Sequence, residues 1–330
     1  GYAMSDCVGL TAVTIPEGVT SLGDCSFQGC SSVTQMALPS TLSSIGNRAF
    51  FGCDSITAFR LDNGSSYFSV DTNGVLYNRS GNGLYRVPSA YRGTFEMPAS
   101  VTLLANYALE GCSGITQVIL SENLYSIAEG AFYGCSGLSG VSIPEQVSVL
   151  YSYAFYGCSG LTDIYLSGEC FGIGRETFAE CTSLSRVRFG GTPPTFGSMC
   201  FHNVTASATY PENTASWSGN IGNYGGNLSW SAYHVHSFTA KEYAQDCTGF
   251  PRTRYTCTCG ESYTAYNETQ LAGWSTTAPT GVSSDRIVTK TQYRYRDKVT
   301  VSSQSSALAG FTQISSRWTP MHTRTVTYVK

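Results

Sequence analysis

A cysteine that recurs at a fixed interval organises most of this sequence. Five of the six intervals between seven such cysteines are 23 residues and one is 59, the cysteines being Cys7, Cys30, Cys53, Cys112, Cys135, Cys158 and Cys181. Apolar residues recur third, sixth, eighth, thirteenth and sixteenth after each cysteine, as in Leu138, Val141, Ile143, Val147 and Leu150. A unit this short cannot bury its own apolar face, whereas stacked units form a continuous core. The interval therefore predicts a solenoid with one coil per 23 residues.

Each unit contains the signature of one short strand. In Val-Ser-Ile-Pro, the side chains of Val141 and Ile143 lie on one face, and the proline that follows ends the strand because it has no N–H to donate. The motif L-T-x-V-x-I-P … I-G-x-x-A-F-x-G-C resembles the BspA-like leucine-rich repeats of bacterial cell-surface proteins over residues 1–204. The resemblance implies a mainly β fold, a leucine-rich repeat solenoid, and an extracellular protein, secreted or held at the cell surface.

Two segments depart from the repeat. The 59-residue interval is one unit plus 36 residues, and glycine- and asparagine-rich turns around short apolar runs predict a hairpin insertion at about 62–94 that extends the array and projects a loop. Residues 205–235 are predicted to cap the last coil, since an open apolar edge would pair with another chain. Ala3-Met4 already occupies the Ala-Phe position, so we expect the chain to begin inside a coil, as a fragment of a longer protein.

The segment 236–272 contains three cysteines outside the 23-residue spacing. Cys247, Cys257 and Cys259, with His236 or His234, form a donor set that suits tetrahedral zinc. The Cys-x-Cys spacing is tighter than usual for zinc, and one disulfide with a spare thiol is the alternative. The segment resembles small modules of Gram-positive surface proteins, a resemblance that implies no chemistry. We expect no cofactor other than structural zinc in this module.

Residues 273–330 are predicted to form a small β module. Arg294 and Arg296 share one face of a strand, where Trp274 can stack against them. An ordinary antiparallel sheet with surface arginines is the alternative. Because the last 95 residues carry a net charge of +5, an anionic cell-wall polymer is a predicted partner of this part of the chain.

The repeated cysteines are predicted to be free thiols. Strand neighbours in a parallel ladder are about 4.8 Å apart, whereas bridged Cβ atoms are about 3.8 Å apart. The seven repeat cysteines are therefore expected to be buried and to pack as small apolar residues.

Composition excludes several functions. Residues 1–235 carry a net charge of −8 and no lysine, which argues against a nucleic-acid partner. No apolar run is long enough to span a membrane. No histidine precedes His202, and no phosphate-binding loop, nucleophile elbow or zinc-protease motif occurs, so we expect no enzymatic activity.

Function is then expected on the surface of the array. The fifth and seventh residues after each cysteine point away from the core, and the candidate ligand-binding residues among them are Arg60, Asp163, Tyr165, Arg186 and Arg188. A second column, just before Gly-Cys, contains Phe51, Tyr133 and Tyr156 and is predicted to stack along the solenoid. We expect an adhesin that binds a host extracellular protein, matrix component or glycan. A rigid stalk whose C-terminal modules contact the cell wall is the alternative.

Overall fold

The computed structural model describes residues 1–61, 63–212 and 214–233 and, beyond these, the backbone of six strands. The chain forms two compact units, Gly1–Val235 and His236–Lys330. The first unit is a solenoid of parallel coils, which confirms the fold class predicted from the repeat. No α-helix occurs in the described part of either unit.

One column of strands forms the longer face of the solenoid. Consecutive strands pair in parallel with partners 23 residues apart, as Ala12 with Gln35 and Asp163 with Arg186. The strands of this face are β1 (Ala12–Thr14), β3 (Gln35–Leu38), β5 (Ala58–Leu61), β9 (Gly93–Glu96), β11 (Ile115–Ile119), β13 (Gly140–Ser142), β15 (Asp163–Leu166), β17 (Arg186–Phe189), β19 (Thr205–Pro211) and β20 (Asn227–Tyr233).

A second column of two-residue strands lies later in each coil. These strands also pair in parallel, for example Leu150 with Ile173. They are β2 (Ser21–Leu22), β4 (Ser44–Ile45), β10 (Leu103–Leu104), β12 (Ser126–Ile127), β14 (Val149–Leu150), β16 (Gly172–Ile173) and β18 (Thr195–Phe196).

The turn that follows each short strand explains the Ala-Phe-x-Gly-Cys motif. The glycine before the cysteine has positive φ, as at Gly134 with 70°, which a residue with a side chain adopts at a cost. The phenylalanines are buried and stack in parallel, with ring centroids 4.9 Å apart for Phe132 and Phe155 and 5.4 Å apart for Phe155 and Phe178. The motif therefore builds the core of the turn column.

Six of the seven repeat cysteines are buried free thiols, as predicted, and Cys7 in the first coil is half-buried. The thiols also have a polar role. The Sγ of Cys158 donates to the carbonyl oxygen of Phe132 at 3.1 Å, and the Sγ of Cys181 donates to that of Phe155 at 3.1 Å. Cysteine is thus small enough for the core and still satisfies a buried carbonyl of the preceding coil.

The insertion lies within the stack. Its strands β6 (Phe68–Val70), β7 (Leu76–Asn78) and β8 (Gly83–Arg86) pair in antiparallel order, and β8 pairs in parallel with β10. Two clusters of buried residues make up the core. Leu76 packs in the cluster of the first coils, whereas Val75 and Tyr77 pack in that of the later coils. Alternating side chains of one segment therefore face both cores.

The last coils of the first unit end in aromatic residues. A 3-10 helix at Ala215–Gly219 carries the buried Trp217, whose indole N–H donates to the Gly191 carbonyl at 2.8 Å. Trp230 on β20 packs on Phe189 with centroids 5.6 Å apart. Bulky rings thus cover the core at this end.

The second unit contains two antiparallel sheets. One is formed by β21 (Phe238–Tyr243), β22 (Arg252–Cys257) and β23 (Ser262–Tyr266), and the other by β24 (Val288–Tyr293), β25 (Thr312–Thr319) and β26 (Thr323–Val329) in the order β24-β26-β25. In the part of the chain that the structure describes, no helix is both long and apolar enough to cross a membrane.

Candidate functional site

The candidate ligand-binding residues of the later coils form one patch, here called the strand-face patch: Asp163, Tyr165, Arg186 and Arg188. The parallel register of β15 and β17 places Asp163 beside Arg186 and Tyr165 beside Arg188. Their neighbours in the strands, such as Ile164 and Val187, are buried, so the four patch residues lie on the outer face. Asp163 and Arg186 are exposed and their charged atoms are 3.5 Å apart.

The patch continues toward the end of the array. The guanidinium carbon of Arg188 lies 4.6 Å from the ring centroid of Tyr233 at the end of β20. The Tyr233 hydroxyl donates to the Phe189 carbonyl at 2.9 Å, which fixes the ring. Arg60 also lies on the outer face, exposed, and donates to the Gln35 side chain at 3.2 Å. It is on the separate sheet β1-β3-β5, and the fold does not bring it into the patch.

The aromatic column lies on the turns. Tyr133 and Tyr156 are half-buried and stack with centroids 4.7 Å apart and an interplanar angle of 8°. Phe51 meets Tyr133 edge to face at 6.2 Å. Burial raises the pKa of the Tyr156 phenol. The column thus stacks in parallel only between Tyr133 and Tyr156.

Glu110 interrupts the column, because it occupies the position before Gly-Cys between Phe51 and Tyr133 in chain order. Its carboxylate is fully buried and lies 3.2 Å from Arg48 and 3.4 Å from Arg86. The Arg48 guanidinium carbon lies 4.8 Å from the Phe51 ring centroid and 4.7 Å from that of Tyr133. A guanidinium group therefore takes the place of the missing ring.

Sequence reasoning missed this cluster. Arg48 occupies the variable position of a turn, where its φ is 55°, and equivalent residues of other turns include Cys25 and Tyr153. Glu110 shows a usable signal, since it is the one acidic residue in a column otherwise rich in aromatic side chains. Burial raises the pKa of the Glu110 carboxyl above its ordinary value, against the opposing effect of Arg86 and Arg48.

The predicted zinc ligands fall outside what can be described structurally. Cys257 ends β22, but its side chain is outside the described residues, as are His236, Cys247 and Cys259. Zinc and disulfide both stay predictions for this module. The same holds for the stacking of Trp274 on Arg294 and Arg296. In the described part of the chain, no three His, Cys, Asp or Glu side chains are grouped as metal ligands.

The 23-residue coils, the two strand columns and the phenylalanine stack define a leucine-rich repeat solenoid. Residues 1–73 and 91–207 match the BspA type leucine rich repeat region in six copies, which is more than half of the chain. The chain belongs to this family, and the resemblance inferred from the repeat motif is confirmed. The C-terminal modules lie beyond the matched residues. No curated protein matches the chain by sequence.

Solved structures of leucine-rich repeat proteins are similar to this chain. The pneumococcal vaccine antigen PcpA superposes with a TM-score of 0.54 at 16% identity, over 67% of this chain and 68% of that one. For a leucine rich cell surface protein of Faecalibacterium prausnitzii, the TM-score is 0.43 at 26% identity, over 56% of this chain and 60% of that one. A leucine-rich repeat protein of Eubacterium ventriosum has a TM-score of 0.42 at 19% identity, over 68% and 54% respectively. The similarity to PcpA shows the fold alone.

Proposed function

We propose that this chain is a non-enzymatic, extracellular surface protein that binds a host protein, matrix component or glycan through the strand-face patch. Membership of a leucine-rich repeat family typical of bacterial surface proteins supports the location. Repeat solenoids commonly use their extended surfaces for binding. The observation that carries the proposal is the alignment of Asp163, Tyr165, Arg186 and Arg188 on two adjacent strands.

The patch residues contribute little to the fold. The side chains of Asp163 and Arg186 are 56% and 68% exposed, and an ion pair at such a site stabilises a protein by about 1 kcal/mol at most. The core of the same strands is built by their buried neighbours. Tyrosine and arginine are enriched at the centres of interfaces, where one side chain contributes much of the binding free energy. The patch therefore combines the residue types of a binding surface with little structural need for them.

The test is binding of the full chain to immobilised extracellular-matrix proteins and to a glycan array. Saturable binding is expected, and the double change Tyr165→Ala and Arg188→Ala should weaken it about 30-fold or more, as loss of an interface centre does. The matched control removes the same residue types elsewhere, by Tyr125→Ala and Arg79→Ala, which are both exposed. Equal loss in both double variants, or binding to no probe, would refute the proposal.

A further inference from the structure

All turn junctions but one are closed by the same three main-chain hydrogen bonds. In one of them, the N–H groups of three residues donate to the next turn at 3.0, 2.8 and 2.7 Å, the pairs being Cys25 with Asn47, Phe27 with Ala49 and Gly29 with Phe51. Five other pairs of consecutive turns form the same three bonds. In the following turn, the equivalent N–H groups of Arg48, Phe50 and Gly52 have no acceptor within the described residues.

The insertion causes this break. The register pairs Leu84 with Leu104 and Thr94 with Gln117. Ten positions separate Leu84 from Thr94, against thirteen between Leu104 and Gln117. The coil that follows Arg48 therefore has a turn three residues shorter than the regular one. It leaves a cavity of about 110 Å³, here called the junction pocket.

Residues of three chain segments line the junction pocket. Arg48 and Phe50 come from the turn before it, Arg86 from β8, and Asn106 and Tyr107 from the turn after it. In the regular turns, the N–H groups equivalent to those of Arg48 and Phe50 point along the stack to the next coil. At this junction, the same direction leads into the pocket.

Most carbonyl groups that would accept these N–H groups are already used. The Ala108 carbonyl accepts from the Val87 N–H at 2.8 Å, and the Glu110 carbonyl accepts from the Arg86 guanidinium at 2.9 Å. The Arg86 Nε is buried and has no hydrogen-bond partner. Two guanidinium groups and one carboxylate give the cluster of Arg48, Arg86 and Glu110 a net charge of +1. The junction thus has an excess of donors and of positive charge.

We propose that the junction pocket binds a carboxylate group. A carboxylate has two oxygens that only accept hydrogen bonds, and the N–H groups of Arg48 and Phe50 are donors without an acceptor. Arg48 has a φ of 55°, and successive N–H groups in such turns form concavities that hold anions. At about 30 Å³ per water, the pocket has room for a carboxylate and the carbon atoms attached to it. This site is separate from the strand-face patch and does not depend on it.

The carboxylate has two plausible sources, an acidic side chain of a protein or a uronic acid of a glycan. Both are covered by titrating the ¹⁵N-labelled full chain with acetate, with N-acetyl-aspartate amide and with glucuronate, against sodium chloride at equal ionic strength. The amide resonances of Arg48 and Phe50 should shift saturably with acetate and not with chloride. A stronger response to the aspartate derivative or to glucuronate then assigns the source.

Matched variants localise the binding. Asn106→Asp adds a negative charge at the pocket and should weaken acetate binding about tenfold or more, because the new carboxylate repels the ligand. Asn227→Asp makes the same charge change at an exposed site on β20 and should leave the affinity within about twofold. Absence of a saturable shift at Arg48 and Phe50 in the wild-type chain would overturn the assignment. An equal response to chloride, or equal affinities of the two variants, would overturn it as well. Loss of Tyr165 and Arg188 should not alter the acetate response, so the two proposals fail independently.

Discussion

Replacement of Arg86 by leucine should open the junction between the two parts of the solenoid. The Arg86 side chain is 7% exposed and donates to the main-chain carbonyls of Tyr107, Glu110 and Phe50, as well as to the Glu110 carboxylate. Arg86→Leu leaves these acceptors unpaired and removes one of the two cations beside a buried anion. Removing one partner of a buried ion pair costs about 3–5 kcal/mol. We expect a loss of about 4 kcal/mol at pH 7, or about a thousandfold in the local opening equilibrium.

The loss should depend on pH through Glu110. Burial already raises the pKa of this carboxyl, and Arg86 acts against that rise. Without Arg86, the pKa in the folded state rises further. A carboxyl with a raised pKa stabilises the folded state fully below its unfolded pKa and loses that contribution as the pH rises through the folded value. At pH 4 only the unpaired carbonyls should matter, with a cost of about 2 kcal/mol.

Hydrogen exchange of the full chain at the two pH values measures this loss locally. The amides of Val87 and Ala105 donate across the junction, to Ala108 and Leu84. Their protection should fall about a thousandfold at pH 7 and about thirtyfold at pH 4. Arg79→Leu is the control: Arg79 is exposed in the same insertion, and a surface substitution of this kind changes stability by about 0.5 kcal/mol at most. A loss of less than tenfold at pH 7, or an equal loss at both pH values, would refute the reasoning.

Two further predictions concern the core. Phe155→Ala removes a buried ring stacked between two others and should lower the free energy of unfolding by about 3–5 kcal/mol in guanidinium titrations followed by circular dichroism, whereas Phe171→Ala, at a ring 64% exposed, should cost less than about 1 kcal/mol. Burial raises the pKa of the Cys181 thiol to about 12, so iodoacetamide at pH 8 should alkylate the half-buried Cys25 in the native chain and Cys181 only after denaturation. Similar rates for the two cysteines by mass spectrometry would contradict the second prediction.

The core was predictable from sequence because a stack requires the same side chain at the same place in every coil. The offsets after Cys135 identify Leu138, Val147 and Leu150 as core positions, and all three are fully buried. The strand register follows from the same period, since partners 23 residues apart are the ones that pair. A periodic sequence therefore encodes its contacts in a form that one chain alone displays.

The hydroxyl residue that follows each cysteine by four positions was a readable signal that the core analysis passed over. Thr34, Thr57, Ser139, Thr162 and Ser185 recur at this position, and each donates to the main-chain carbonyl of the preceding coil. Their side chains are exposed, so an analysis of apolar periodicity does not detect them. Like the cysteines, they add a hydrogen bond between coils without adding to the core.

The aromatic column shows where the period ceases to predict contacts. Equal spacing suggests that Phe51, Tyr133 and Tyr156 stack alike, yet only the last two stack in parallel. Glu110 stands between Phe51 and Tyr133, and its buried charge requires cations. These come from Arg48, in a turn 62 residues earlier, and from Arg86, in the insertion. Such contacts join positions outside the repeat, so no offset within the unit identifies them.

This difference also separates the two proposed sites. In a regular stack, each coil satisfies the N–H groups of the previous one, and only side chains on the outer face are left to bind a ligand. The strand-face patch is of this kind, and its position could be read from the repeat. At the insertion, a turn shortened by three residues leaves the N–H groups of Arg48 and Phe50 without acceptors. The main chain itself then offers donors for a ligand, which the repeat prevents at the six regular junctions. An irregularity in a solenoid is therefore the place to look for a site made by its backbone.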